Sequence, residues 1–117
     1  AVQAASVAAW NDDAHVADNR RLYREKFAAV VPRLREICEV DMPQAGFYLW
    51  MRTPVADTDF AKHLYLKYNV TVLPGSYLAR EAHGVNPGKN RIRIALVAPL
   101  QECIEAAQRL RECFSNL

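Results

Sequence analysis

Apolar residues recur every three or four positions through the first third of the chain, the spacing of an amphipathic helix. This run covers residues 14 to about 38, after N-cap candidates at Asn11-Asp12-Asp13. Residues 1–10 are rich in Ala and Val and predict a short buried helix, or the end of one, before it. Pro32 lies inside the longer run and removes one backbone donor, so we expect a kink in that helix.

Shorter elements follow, with alternating apolar residues in the segments that predict strands. The order helix, strand, helix, strand, strand, helix predicts an α+β fold with helices on one face of a small sheet. The predicted elements after the long helix are a strand over 47–52, a helix over 58–68 capped by Asp57 and stopped by Asn69, a strand over 70–73, a loop over 74–90, a strand over 91–97 and a last helix starting at Pro99.

The third predicted strand carries a cation in an apolar run. Ile92, Ile94 and Leu96 fall on one face of this strand, whereas Arg93 falls on the other. A guanidinium is costly to bury unless an anion meets it, and its planar fork fits a carboxylate with two parallel hydrogen bonds. Arg93, close to the Pro74-Gly75 turn, is therefore a candidate receptor for an acid group.

Structural alternatives for these residues stay open at this point. Arg93 could pair with Asp41 or Glu81, or lie on a solvated sheet face. Arg91 starts the strand, so we expect it to be exposed. Loops as long as 74–90 are often binding elements, though some are only mobile.

Composition narrows the classes of function. The 117 residues suffice for one domain with a core, and the net charge of +2 is too balanced to demand nucleic acid or an anionic membrane. No apolar run approaches the roughly 20 residues of a membrane span. Without metal-like spacing, Cys38, Cys103 and Cys113 are interpreted as reduced, core-filling thiols of a cytosolic protein. None of the lysines or histidines shows a catalytic or metal-binding pattern, so the residues alone provide one anion-binding candidate and no catalytic machinery.

Three motifs in this order resemble a known family. They are Gln44-Ala45-Gly46-Phe47-Tyr48-Leu49-Trp50, Val70-Thr71-Val72-Leu73-Pro74-Gly75-Ser76 and Arg91-Ile92-Arg93-Ile94-Ala95-Leu96. Together they resemble the C-terminal part of the class I/II aminotransferases, which are pyridoxal-phosphate enzymes of fold type I. The long loop is most similar to the branch that transaminates succinyldiaminopimelate in lysine and diaminopimelate biosynthesis.

The resemblance implies a division of the chain and a set of site residues. Residues 1–12 would end a large-domain helix, 13–40 would form a linking helix, and 41–117 would form a small substrate-binding domain with a largely antiparallel sheet. The family's α-carboxylate arginine falls on Arg93, its site-mouth loop falls on Pro74 and Gly75, and Arg80 is a candidate for a distal carboxylate.

The resemblance also implies what the chain does not contain. The family's catalytic lysine and its residues for pyridoxal 5'-phosphate lie upstream of Ala1, so we expect no catalytic, cofactor-binding or metal-binding residue here, and no activity from this fragment alone. The parent enzyme is expected to be a cytoplasmic homodimer acting on a small-molecule amino acid, with no nucleic acid or membrane partner. The rival interpretation is a free-standing α+β module for amino-acid sensing or dimerisation.

Overall fold

The chain folds into five helices and three strands, and the computed structural model describes all 117 residues. The predicted α+β class is confirmed, with a short helix in the long loop as the one added element. The elements are α1 (Val2–Trp10), α2 (Asp13–Arg35), β1 (Tyr48–Arg52), α3 (Asp57–Tyr68), β2 (Leu73–Pro74), α4 (Gly75–Leu78), β3 (Arg91–Ala95) and α5 (Leu100–Ser115).

The sheet is antiparallel throughout, in the order β1-β3-β2. Because side chains alternate along a strand, each strand contributes to two faces. We call the face that carries Leu49, Met51, Ile92 and Ile94 the inner face, and all of these residues are at most 8% exposed. We call the opposite one the outer face; its members are Tyr48, Trp50, Arg52, Leu73, Arg91, Arg93 and Ala95.

Helices α2, α3 and α5 cover the inner face only, which confirms the predicted two-layer arrangement. Phe60 and Leu64 of α3 are completely buried, and so is Leu34 near the end of α2. The predicted inward residues of β3 are in this core, as Ile92, Ile94 and Leu96 are 0%, 8% and 2% exposed. The core therefore packs against the inner face of β3 and leaves its outer face uncovered.

The first 22 residues contribute nothing to this core, and Tyr23 is the first side chain that packs against it. Helix α1 has no buried residue, with Val2 81% and Trp10 86% exposed, so the prediction of a buried helix is wrong for the chain described. The first buried side chain is Phe27, in the second half of α2. The apolar residues of α1 thus have no partner surface within these 117 residues.

Helix α2 continues through Pro32 and ends at Arg35, earlier than the predicted end near Cys38. The backbone N–H groups of Ile37 and Cys38 both donate to the Leu34 carbonyl oxygen, at 3.1 Å each, so the chain tightens into a turn there. At the other end, the predicted capping is confirmed, because the Asp12 carboxylate accepts from the N–H groups of Ala14 and His15.

The second strand and the long loop differ most from expectation. Only Leu73 and Pro74 pair with β3, whereas the predicted strand covered 70–73. Val70 is 8% exposed because it packs into the core, which takes this segment away from the sheet edge. The predicted loop contains α4 and an isolated bridge between Ala82 and Val85, and β3 ends at Ala95 rather than at residue 97.

Candidate anion-binding site

Arg93 lies at the centre of the outer face. In the antiparallel register it stands opposite Trp50 of β1 and opposite Leu73 of β2. Its side chain is partly buried, and its guanidinium carbon lies 5.5 Å from the centroid of the Tyr48 ring. A cation at this distance from an aromatic face is stabilised by the ring quadrupole, which leaves the N–H donors of the guanidinium available to a ligand.

No acidic residue of the chain neutralises Arg93. Ion pairs connect Arg21 with Asp18 and Glu25, Arg109 with Glu105, and Arg111 with Glu36, but none includes Arg93. The proposed internal partners Asp41 and Glu81 are both exposed and make no such pair. A partly buried guanidinium without an internal counter-ion is a favourable site for an external carboxylate.

Two further arginines share the outer face. Arg52 and Arg91 are directly opposite each other in the register of β1 and β3. Arg91 is partly buried, so the expectation that it would be exposed is wrong. Like charges at opposed positions disfavour pairing of the strands, and no carboxylate occurs on this face to offset them. The outer face is therefore electropositive as well as uncovered.

The Pro74-Gly75 turn packs so closely that residue 75 has to be glycine. A Cβ on Gly75 would overlap the Gly88 carbonyl oxygen and would lie 2.8 Å from both the Arg91 carbonyl oxygen and the tip of the Trp50 ring. The Trp50 ring consequently reaches across β3 from its own strand to the turn. Trp50 and Gly75 together form an apolar boundary of the outer face beside Arg93.

Asp57 does not cap α3 as predicted, and its contacts make it a residue of the candidate site instead. The N-cap of α3 is Ala56, without a side-chain cap, and Asp57 is the first helical residue instead. Its carboxylate, in a residue only 3% exposed, accepts hydrogen bonds from the Ser76 N–H at 2.9 Å, the Ser76 hydroxyl at 2.6 Å and the Asn90 N–H at 3.1 Å. One carboxylate thus connects the turn after β2 with the residue before β3.

The charge of Asp57 follows from these contacts. Burial on its own would raise the pKa of Asp57, but the hydrogen bonds from Ser76 and Asn90 outweigh burial and hold the pKa below its ordinary value of 3.8. Its position at the N-terminus of α3 also favours a negative charge. Asp57 is therefore an ionised, buried carboxylate whose partners are neutral donors.

Residues 77, 78 and 80–85 of the loop are exposed. Arg80 makes no ion pair and lies in the segment between α4 and the Ala82–Val85 bridge. Tyr77 on α4 is 74% exposed. His83 and Gly84 form the tip of the bridged turn, both with positive φ. The structure does not bring Arg80 into hydrogen-bonding contact with any other residue singled out in the sequence.

Two clefts of the chain lie away from Arg93. One, of about 510 Å³, is bordered by α5, the end of β3 and residues 69–71, and the other, of about 920 Å³, lies between α2 and residues 42–47. Arg93 lines neither of them. Since Tyr48 is 41% exposed and Leu73 is 38% exposed, the outer face is open in this chain and any closed pocket around Arg93 needs a further surface.

The chain belongs to the aminotransferase class I and II family, whose model matches residues 1–110. Enzymes of this family depend on pyridoxal phosphate. Membership of the family disfavours the rival interpretation as a free-standing sensing module. No helix of the chain has the length and apolar character required to cross a membrane.

Individual relatives agree with the family assignment. The chain is 36% identical to a probable aminotransferase of Mycobacterium tuberculosis over 93% of its own length and 25% of that protein. It is 31% identical to the LL-diaminopimelate aminotransferase of Desulforudis audaxviator, with coverage of 99% and 29%. The chain therefore spans between a quarter and a third of the length of these relatives.

Solved structures confirm the fold. An aminotransferase from Neisseria meningitidis superimposes with a TM-score of 0.92 at 46% identity, covering 97% of this chain and 29% of that one. A probable N-succinyldiaminopimelate aminotransferase from Thermus thermophilus superimposes with a TM-score of 0.73 at 36% identity, covering 88% and 27%. The expected likeness to the small domain of fold type I enzymes is thus confirmed.

None of the four lysines of the chain fits a covalent bond to the cofactor of this family. A lysine that bonds covalently to an aldehyde needs a desolvated amine, but Lys62, Lys67 and Lys89 are exposed and Lys26 lies 4.9 Å from the Tyr23 ring centroid on α2. No group of three His, Cys, Asp or Glu side chains could hold a metal ion. What the chain does present is an open, electropositive sheet face with Arg93 at its centre.

Two site residues have no local signal in the sequence. Trp50 resembles any aromatic residue of a strand, and its contact with Gly75 depends on the sheet order. Asp57 and Asp59 both lie in the first turn of α3, so a sequence pattern cannot tell which of them is buried.

Proposed function

We propose that the full-length protein containing this chain is a pyridoxal-phosphate-dependent aminotransferase, which moves an amino group between an amino acid and a 2-oxo acid. In this proposal the α-carboxylate of the amino acid binds to Arg93 through two parallel hydrogen bonds. The observation that carries the proposal is a partly buried arginine on an open sheet face, without an internal counter-ion, in a chain of this family. Pro74 and Gly75 form the mouth of the site beside it.

The substrate we propose is N-succinyldiaminopimelate, which would place the enzyme in lysine and diaminopimelate biosynthesis. Support comes from the similarity to the Thermus thermophilus protein and to several LL-diaminopimelate aminotransferases. Such a substrate has a second, distal acid group, and exposed, unpaired Arg80 is our candidate for it. We also propose a cytoplasmic homodimer, in line with the usual assembly of the family, which light scattering of the full-length protein will test.

Arg93→Ala in the full-length protein tests the main proposal. Breaking one side of a carboxylate–guanidinium pair costs about 3–5 kcal/mol, so kcat/KM for N-succinyldiaminopimelate should fall by roughly a hundredfold to several thousandfold. Arg93→Lys keeps the charge but not the fork, and should recover only part of the loss. Arg91→Ala, on the same strand and face, is the matched control and should change kcat/KM little. An unchanged value for Arg93→Ala would remove Arg93 from this role.

Arg80→Ala tests the distal acid group. The measurement is the ratio of kcat/KM for N-succinyldiaminopimelate to that for unsuccinylated LL-diaminopimelate. We expect the ratio to fall by roughly tenfold, since an exposed charged hydrogen bond contributes modestly. Lys89→Ala, an exposed cation near the other end of the same loop, should leave the ratio at its parental value. Equal ratios for the parent and Arg80→Ala would exclude Arg80.

A further inference from the structure

We propose that Asp57 is a positioning residue for Arg93. Its carboxylate fixes both ends of the segment 76–90 and thereby sets the position of β3, the strand that carries Arg93 on the outer face. Asp57 itself does not touch the substrate in this proposal. The inference depends on the proposed function of Arg93 and concerns a residue on another element. The three hydrogen bonds to the two oxygens of one buried carboxylate carry it.

The two oxygens of Asp57 serve two distant parts of the chain. Oδ2 accepts both bonds from Ser76, 19 positions further along, and Oδ1 accepts the bond from Asn90, 33 positions further along. A residue needed only to begin α3 would bond to the N–H groups of its own first turn. The Asp57 carboxylate instead accepts hydrogen bonds from the two ends of the loop beside Arg93.

Asn90 connects the Asp57 carboxylate with the register of β3 against β1. Its carbonyl oxygen accepts from the Thr53 N–H at 2.9 Å, so the same residue is fixed to Asp57 and to the end of β1. Arg93 follows three positions later. A slip of one residue in an antiparallel ladder would move Arg93 from the outer to the inner face, so an anchor at the start of β3 protects the direction of its side chain.

Ser76 connects the Asp57 carboxylate with the Pro74-Gly75 turn beside Arg93. The Ser76 carbonyl oxygen accepts from the Asn86 side chain at 3.1 Å, and Gly75 lies against Gly88 with no room for a Cβ on either. These contacts fold the loop back on itself. The Asp57 carboxylate completes the arrangement by accepting from the Ser76 N–H and hydroxyl.

Because only donors surround the Asp57 carboxylate, the substitution Asp57→Asn tests these hydrogen bonds with little change in volume. No ion pair includes Asp57, and its three hydrogen bonds from outside α3 come from two backbone N–H groups and one hydroxyl. Asparagine has nearly the same shape, but one of its two terminal atoms is a donor. That NH₂ group must face a donor either at Ser76 or at Asn90, so one end of the loop is released while the volume is conserved.

The decisive experiment compares Asp57→Asn with the parent in the full-length enzyme, using N-succinyldiaminopimelate as the varied substrate. We expect KM to rise roughly tenfold, the effect of losing a charge-assisted hydrogen bond that orients a binding group, while kcat stays within roughly threefold. Asp59→Asn is the matched control, because Asp59 is exposed in the same turn of α3 and makes no side-chain hydrogen bond; it should retain the parental KM. A lower melting temperature together with a parental KM would overturn the proposal.

Ser76→Ala provides the second variant and decides the matter if Asp57→Asn does not fold. It removes only the bond from the hydroxyl, so KM should rise less than in Asp57→Asn but in the same direction; a parental KM would overturn the proposal. In the double variant, Ser76→Ala should add little to Asp57→Asn, because both changes act on one contact. If the Arg93 variants also leave KM unchanged, the proposed function fails too; if only the Arg93 variants raise it, this inference alone fails.

Discussion

The inner and outer faces of the sheet consist of alternate residues of the same strands, but they have opposite character. The inner face carries Met51, Ile92 and Ile94, all buried under three helices, and offers no polar atom. The outer face carries Arg52, Arg91 and Arg93 and has no helix over it. The difference supports the proposal that the outer face binds an anion, whereas packing on the inner face stabilises the fold.

Ile92→Ala and Arg93→Ala, adjacent on β3, provide the strongest test of this difference. Ile92 is completely buried, so its truncation should cost about 3 kcal/mol of stability. In full-length protein this appears as faster hydrogen–deuterium exchange of the peptide containing 91–95, whereas Arg93→Ala should leave exchange nearly unchanged. Val97→Ala, at a 63% exposed position just after β3, is the control for the isoleucine. Equal loss of protection in both variants of β3 would contradict the separation of roles.

Gly75→Ala tests whether the turn beside the outer face is packed as tightly as the core. The added Cβ would overlap the Gly88 carbonyl oxygen and press on Trp50, at a cost of about 1–3 kcal/mol. Gly84→Ala is the comparator: it has φ of +76° but no atom within 4 Å, so only backbone strain of about 1 kcal/mol applies. The melting temperature of the full-length protein should therefore fall further for Gly75→Ala. The reverse order would mean that the loop yields easily at Gly75.

Sequence patterns predicted those features of the two faces that depend on residues close together in the sequence. The alternation around Ile92 and Ile94 fixed the inner face, and with it the outward position of Arg93, because side-chain direction follows strand period. The contact of Asp57 with Ser76 and Asn90 was not predicted, since it depends on how α3 packs beside β3. The second strand was predicted too early and too long for a related reason: Val70 packs into the core, and β propensity does not show this tertiary contact.

Thiol labelling offers a finer probe of the inner layer, with the smallest expected effect. Burial raises the pKa of the Cys113 thiol, and burial raises that of Cys38 to about 11, so both should react slowly at pH 7 and faster as the pH rises towards these values. Cys113 lies in the core on α5, where labelling requires opening of the layer over the inner face. Ile92→Ala should accelerate labelling of Cys113, whereas Arg93→Ala should not. Acceleration by the arginine variant would show that the two faces share one cooperative unit and that the outer face also contributes to stability.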